Sequence, residues 1–175
     1  MGKPLLNPNV ATLHVYMPAQ MNAYLSELAV RPGVTQTRTK TELTTRIMVA
    51  FLSVQPWKEP GWEWKRPSAH YVKVDGVRKP NPDWVLLHVR LQDIDVGSEH
   101  IKSDSIVAAL EKVARDEVPK RSSIDTGMSS LQYSALTWGT TVMFDPKKFA
   151  SKPIVSPLDA VPPPKLESAR RRRTH

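Results

Sequence analysis

Residues 12–17 alternate between polar and hydrophobic positions, and this is the clearest pattern in the chain. Because successive side chains of a β-strand point to opposite faces, the alternation predicts a strand with one face on a core. The apolar face consists of Leu13, Val15 and Met17, and the polar face of Thr12, His14 and Tyr16. Pro18 ends the strand, since it lacks an amide hydrogen for the ladder and its fixed φ suits a first helical turn.

Two amphipathic segments follow and predict two helices. Residues 19–30 carry apolar side chains at helical spacing, namely Met21, Tyr24, Leu25 and Leu28. The turn Arg31-Pro32-Gly33 ends this helix. The second helix, residues 40–54, begins at the capping box Thr39-Lys40-Thr41-Glu42. Its apolar positions are Leu43, Ile47, Ala50, Phe51 and Val54.

One strand and two short helices are too small a unit to enclose a sufficient core. Two copies of the unit solve this problem by pairing their strands antiparallel and interlocking their helices, which predicts a homodimer. The resulting two-stranded ribbon has one face on the core and one face free. A ribbon of that width fits the major groove of double-stranded DNA, where each base pair presents a distinct pattern of donors and acceptors.

Residues 12–54 resemble the ribbon-helix-helix superfamily, to which the methionine repressor and Arc belong. The resemblance rests on the junction His14-Val15-Tyr16-Met17-Pro18 and on the Thr-Lys-Thr-Glu-Leu start of the second helix. It implies that Thr12, His14 and Tyr16 contact bases. It also implies that the start of the second helix holds a DNA phosphate, around Arg38, Thr39, Lys40 and Thr41. The alternative is a β-α-α corner of a larger α+β domain, with the polar strand face merely exposed to solvent.

The segments around this unit complete an α+β fold. Residues 1–11 are expected to form a flexible arm. Residues 55–69 form a linker rich in Pro and Trp, whose tryptophans we expect to pack onto the neighbouring domain rather than to stack on bases. Residues 151–175 are Pro-rich and poor in apolar side chains, which predicts a disordered basic tail.

Residues 70–150 predict a small α+β domain of unknown role. Strands are expected at 71–74 and 84–91, a helix at 104–117, and further strands at 131–136 and 140–144. Strand 84–91 and helix 104–117 also permit a degenerate second copy of the unit, pairing with the first inside one chain. Because residues 93–102 lack the apolar stripe of a first helix, we favour the homodimer over this arrangement.

Charge favours a nucleic-acid partner, since 25 Lys and Arg residues against 17 Asp and Glu leave a formal net charge of +8. Part of the excess lies in the tail, in Arg170, Arg171, Arg172 and Arg173. Such a run is either a solvated tail or a non-specific DNA contact.

Catalytic and membrane functions find little support in the sequence. The polar cluster of Asp93, Asp95, Glu99 and His100 lacks a recognised metal-ligand spacing and indicates a surface loop. The chain has no cysteine, and no apolar stretch approaches the length of a membrane span. We therefore expect a cytoplasmic protein that is not an enzyme and holds no metal or cofactor.

These patterns together predict a sequence-specific double-stranded DNA-binding protein. Its role would be that of a transcriptional repressor or of an accessory factor for plasmid or mobile-element DNA processing. Residues 70–150 offer a surface for a further protein partner. The alternative function is that of a protein-interaction or assembly component, whose positive charge makes only non-specific contacts with nucleic acid.

Overall fold

β1, the predicted strand, spans Val10–Pro18 in the computed structural model, which describes residues 10–30, 37, 39–68 and 71–140. The helices are α1 (Ala19–Val30), α2 (Lys40–Val54), α3 (Ser103–Glu117) and α4 (Met128–Trp138). The other strands are β2 (Tyr71–Val74), β3 (Val77–Pro80), β4 (Trp84–Gln92), β5 (Ile94–Val96) and β6 (Glu99–Ile101). The predicted α+β class is therefore confirmed.

β1 forms an antiparallel ladder with β4 along its whole length. Its expected partner was the same strand of a second copy, and this expectation is corrected because the ribbon forms within one chain. β4 is suited to the role since its apolar positions Val85, Leu87 and Val89 stand opposite those of β1 in register. Two further antiparallel hairpins are formed by β2 with β3 and by β5 with β6.

Helices α1 and α2 have the predicted bounds. Local hydrogen bonds are formed at both ends of α2. The Thr39 hydroxyl accepts a hydrogen bond from the Glu42 amide at 3.1 Å, which caps α2. At the other end, Gln55 adopts a left-handed conformation and its amide donates to the Phe51 carbonyl at 3.0 Å. The Thr39 side chain thus makes the N-terminal capping bond that the sequence Thr39-Lys40-Thr41-Glu42 predicted.

A single hydrophobic core contains residues from both of the segments that were expected to form two domains. It contains Met17 of β1, Phe51 of α2, Leu91 of β4, Leu110 of α3 and Leu131 of α4, all fully buried. The predicted division into residues 12–54 and 70–150 therefore does not separate two cores. The physical reason is the pairing of β1 with β4, which draws the apolar faces of both segments onto the same helices.

The strand expected at 131–136 is wrong, because residues 128–138 form helix α4. The strand expected at 140–144 lies outside the described residues from residue 141 onward. Leu131, Ala135 and Trp138 are all buried and follow one another at helical spacing, so burial here has a period near 3.6 rather than 2. The end of α4 also approaches α2 closely. A Cβ atom on Gly139 would lie 2.5 Å from Cγ2 of Ile47.

The linker packs onto the core as expected. Trp57, Trp62 and Trp64 surround Phe51, with ring centroids 5.0, 6.0 and 6.2 Å from the phenylalanine ring. The linker backbone then runs along α4, where the Lys65 amide donates to Ser134 Oγ at 2.8 Å and the Ser130 hydroxyl donates to the Lys65 carbonyl at 2.7 Å. These contacts give the tryptophans a structural role.

Several predicted features lie outside the described residues. They are the arm over residues 1–9, Arg38, residues 141–150 of the expected second domain, and the tail with Arg170, Arg171, Arg172 and Arg173. Within the described ranges, every helix is too short or too polar to cross a lipid bilayer.

Candidate nucleic-acid interface

The ribbon of β1 and β4 has one face on the core and one face directed away from it. Directly opposed residues of an antiparallel pair lie on the same face. Thr12 is opposite Arg90, His14 is opposite His88, and Tyr16 is opposite Leu86. These six residues form what we call the free face of the ribbon. The buried face carries Leu13, Val15, Met17, Val89 and Leu91.

Two histidines occupy the centre of the free face. The His14 and His88 rings are 4.5 Å apart between centroids and meet edge to face at 71°. Both side chains are exposed, as are Thr12 and Arg90 beside them. Imidazole, hydroxyl and guanidinium groups are all able to hydrogen-bond base edges, and an Arg is suited to the two acceptors of guanine. Thr12 and His14 therefore lie on an exposed strand face, as the sequence predicted.

Leu86 adds an apolar group to the same face, with 54% of its surface exposed. An exposed leucine on a polar strand face is costly to leave in water. Apolar side chains at this kind of surface contact the methyl group of thymine in the major groove. The free face thus combines hydrogen-bonding and apolar groups along one strand.

Tyr16 does not lie where the sequence placed it, since only 6% of its surface is exposed. Its ring stacks on Trp84 with centroids 5.4 Å apart, and Trp84 in turn meets Tyr133 of α4 at 5.2 Å. Burial raises the pKa of the Tyr16 hydroxyl, and the nearby Tyr71 raises it further. The expectation that Tyr16 contacts a base is therefore wrong; its side chain joins the ribbon to α4.

The start of α2 lies beside the Arg90 end of the ribbon. The Thr44 hydroxyl donates to the Arg90 carbonyl at 3.2 Å, and Thr45 Oγ1 accepts from the Gln92 amide at 3.0 Å. These bonds join the second turn of α2 to the edge of β4 through two buried threonines. The predicted phosphate position at the start of α2 lies one turn before this contact, and Arg38 lies outside the described residues.

Two of the side chains expected to bind phosphate make contacts within the protein. Thr39 caps the helix by accepting from the Glu42 amide, and Lys40 Nζ donates to Asn22 Oδ1 of α1. Burial lowers the pKa of Lys40. Both side chains thus have structural contacts at the position where the resemblance implies a phosphate.

Three residues of the free face were missed by the sequence analysis: Leu86, His88 and Arg90. Part of the signal for them was present, because residues 88–91 alternate between polar and apolar side chains as residues 12–15 do, although residues 84–87 are all apolar. The sequence analysis considered pairing of the two strands within one chain but favoured the homodimer, whereas β1 pairs with β4 of the same chain. Only the register, with His14 opposite His88, shows that the second strand completes the face begun by the first.

The acidic cluster near residue 95 forms part of the β5–β6 hairpin. The His100 Nδ1 atom lies 2.7 Å from Asp95 Oδ1, and its Nε2 lies 3.7 Å from Asp93 Oδ2. Asp93 also accepts a hydrogen bond from the Ser103 amide at 2.9 Å, which caps α3. Among the residues the structure describes, no group of three or more His, Asp or Glu side chains is placed to hold a metal ion. The cluster thus has a structural explanation.

Comparison with family models, with curated proteins and with solved structures finds no match for this chain.

Proposed function

We propose that the chain is a sequence-specific double-stranded DNA-binding protein that places the β1–β4 ribbon in the major groove. The observation that carries the proposal is the free face of the ribbon, with exposed His14, His88 and Arg90 aligned across two strands. A two-stranded ribbon is one of the elements that the major groove admits. The opposite face is fully used by the core, so the ribbon is held rigidly behind the groups that would read bases.

The order of elements supports a ribbon-helix-helix arrangement contained in one chain. β1 is followed by α1 and α2, and β4 is followed by the β5–β6 hairpin, α3 and α4. Each half thus supplies one strand of the ribbon and two helices behind it. The hairpin accounts for the missing apolar stripe at residues 93–102, which had weighed against a second copy.

The positive charge of the chain supports the part of DNA binding that does not depend on base sequence. The net charge of +8 favours release of counterions from phosphates independently of base sequence, and the excess lies outside the described residues, which carry 14 Lys and Arg against 14 Asp and Glu. We place a phosphate contact at the start of α2, one helical turn before the contact of Thr44 with the Arg90 carbonyl. Phosphate contacts of this kind fix the position of a ribbon in the groove, while the free face supplies discrimination between bases.

The recognised site should lack two-fold symmetry. A ribbon made from two identical strands reads an inverted repeat, because protein and DNA share the two-fold axis. Here β1 presents Thr12 and His14, whereas β4 presents Leu86, His88 and Arg90. Only the central histidine pair is alike in the two strands. We therefore expect one short, non-palindromic sequence, such as marks a single DNA site for repression or for a DNA-processing assembly.

The test compares two arginines on a long mixed-sequence DNA duplex. Arg90→Ala removes a free-face cation, and the matched control Arg115→Ala removes an exposed cation of α3 that pairs with Asp116. We expect Arg90→Ala to weaken binding and Arg115→Ala to leave it nearly unchanged. NMR signals of β1 and β4 should shift when the duplex is added. Equal weakening by both variants, without shifts in the ribbon, would instead indicate non-specific electrostatic contact by an assembly component.

A further inference from the structure

The β2–β3 hairpin presents two cations on one of its faces. Tyr71 is opposite Pro80 and Lys73 is opposite Arg78, so these four residues share a face. The hairpin is exposed along its length apart from the half-buried Val72. Tyr71, Lys73 and Arg78 form what we call the basic face of the hairpin.

The pairing of Lys73 with Arg78 is unfavourable by itself. Like charges directly opposite each other destabilise an antiparallel pair. Arg78 is in addition held over the Tyr71 ring, with its guanidinium carbon 4.2 Å from the ring centroid, so it stays on this face beside the lysine. An anion bound between the two cations would convert this repulsion into attraction, which points to a ligand of negative charge.

The hairpin stands at the Pro18 end of the ribbon. The Ala19 amide donates to the Asp83 carbonyl at 2.9 Å, and the Asp83 amide donates to Asn81 Oδ1 at 3.2 Å, which ties the base of the hairpin to the junction of β1 and α1. The base of the hairpin therefore lies at the Pro18 end of the ribbon.

We propose that the basic face of the hairpin, through Lys73 and Arg78, binds the phosphate backbone of the DNA duplex next to the segment read by the ribbon. This inference rests on the proposed function. Charge complementarity selects the partner, since a duplex emerging from the ribbon carries regularly spaced phosphates past the hairpin. The contact lies at the Pro18 end of the ribbon, so it lengthens the protected DNA on one side of the site and orients the protein on it.

The test exploits two lysines of the same hairpin that face in opposite directions. Lys73 lies on the basic face, whereas Lys79 is opposite Val72 on the other face. Lys73→Gln and Lys79→Gln remove the same charge and leave the Arg78–Tyr71 contact in place. On a long mixed-sequence duplex, log of the binding constant falls as log of the salt concentration rises. Loss of one phosphate contact makes this slope shallower by about 0.9 and weakens binding about fivefold at 0.15 M salt.

We expect the full effect for Lys73→Gln and little effect for Lys79→Gln, with no loss of thermal stability in either variant. On a duplex that carries the sequence enriched from random DNA, Lys73→Gln should also shorten the footprint of the full chain on one side. Equal effects of the two variants would overturn the hairpin contact and, if Arg90→Ala still weakens binding more than Arg115→Ala, would leave the ribbon proposal standing. If the full chain binds no duplex, both proposals are overturned.

Discussion

His14 of β1 lies directly opposite His88 of β4, with their rings 4.5 Å apart at the centre of the ribbon's free face. The residues of this pair are 74 positions apart in the chain, so the ribbon is closed by the second half of the same molecule. A single chain thus contains both strands of a structure that two small copies would otherwise have to share.

Cysteines placed at the two histidine positions should form a disulfide within one chain. The natural sequence has no cysteine, so the variant His14→Cys/His88→Cys has a single oxidation partner. Opposed residues of antiparallel strands have Cα atoms about 4.5–5.5 Å apart, which is within the range of a disulfide. Oxidation should give a crosslinked monomer on a non-reducing gel. His14→Cys alone is the control for random oxidation between chains. A double variant that gives covalent dimers and no crosslinked monomer would contradict the pairing of β1 with β4 in one chain.

Substitutions of Tyr16 and His14 should affect two different properties, folding stability for Tyr16 and base recognition for His14. Tyr16→Ala removes a buried ring that stacks on Trp84, and we expect a loss of about 3–5 kcal/mol in the free energy of unfolding. His14→Ala changes an exposed side chain and should alter stability by less than about 0.5 kcal/mol. Urea unfolding gives the first quantity, and competition between preferred and scrambled duplexes gives sequence preference.

In the competition experiment, His14→Ala should reduce the preference for the preferred duplex over the scrambled one. It should leave salt-dependent background binding intact. A Tyr16→Ala variant that unfolds at the same urea concentration as the natural chain would show that Tyr16 is not packed as described.

Gly139 is required by the close contact between α4 and α2. A Cβ atom there would lie 2.5 Å from Cγ2 of Ile47, which is itself fully buried. We expect Gly139→Ala to lower the free energy of unfolding by about 1–3 kcal/mol through overpacking. The double variant Gly139→Ala/Ile47→Ala should lose less than the sum of the two single changes, because the smaller residue makes room for the methyl group. Additive losses would contradict the contact.

Asp125 should make stability depend on pH in the acid range. Its carboxylate accepts from the Arg121 amide at 3.0 Å and the Gly127 amide at 2.8 Å, and these hydrogen bonds are the main cause of its lowered pKa, with Arg66 and Lys120 adding to it. A lowered folded pKa contributes stability above the unfolded value, near 3.9, and that stability is lost as the pH falls through the folded pKa.

The variant Asp125→Asn should therefore be less stable than the natural chain at neutral pH, and the difference should shrink as the pH falls below about 4. Asp116→Asn, which removes an exposed carboxylate paired with Arg115, is the matched control. Thermal unfolding across the pH series measures both. A difference between Asp125→Asn and the natural chain that stays constant with pH would contradict a role for the carboxylate charge.

The sequence predicted local structure well wherever one period dominated the hydrophobic pattern. Residues 12–17 alternate strictly, and 19–30 and 40–54 carry clear helical stripes bounded by Pro18 and the Thr39 cap. Residues 131–136 were misread as a strand, because Leu131, Tyr133 and Ala135 fit a short alternating run, while Leu131 and Ala135 also fit helical spacing. Only packing against α2 decides between the two periods.

Long-range pairing was the part of the candidate site that local patterns did not predict. Thr12 and His14 were placed on an exposed strand face, and both are exposed. Nothing in residues 12–17 indicated that Trp84 would cover Tyr16, or that His88 and Arg90 would complete the same surface. These outcomes depend on the register between two strands far apart in the chain.

Selection of random duplex DNA by the full chain, at about 0.15 M salt to suppress phosphate-only binding, is the measurement we would make first. A ribbon formed within one chain from unlike strands predicts enrichment of a single short sequence without two-fold symmetry. Enrichment of an inverted repeat would contradict this and indicate a ribbon shared by two identical strands. If no sequence is enriched by the folded protein, the free face of the ribbon does not read bases.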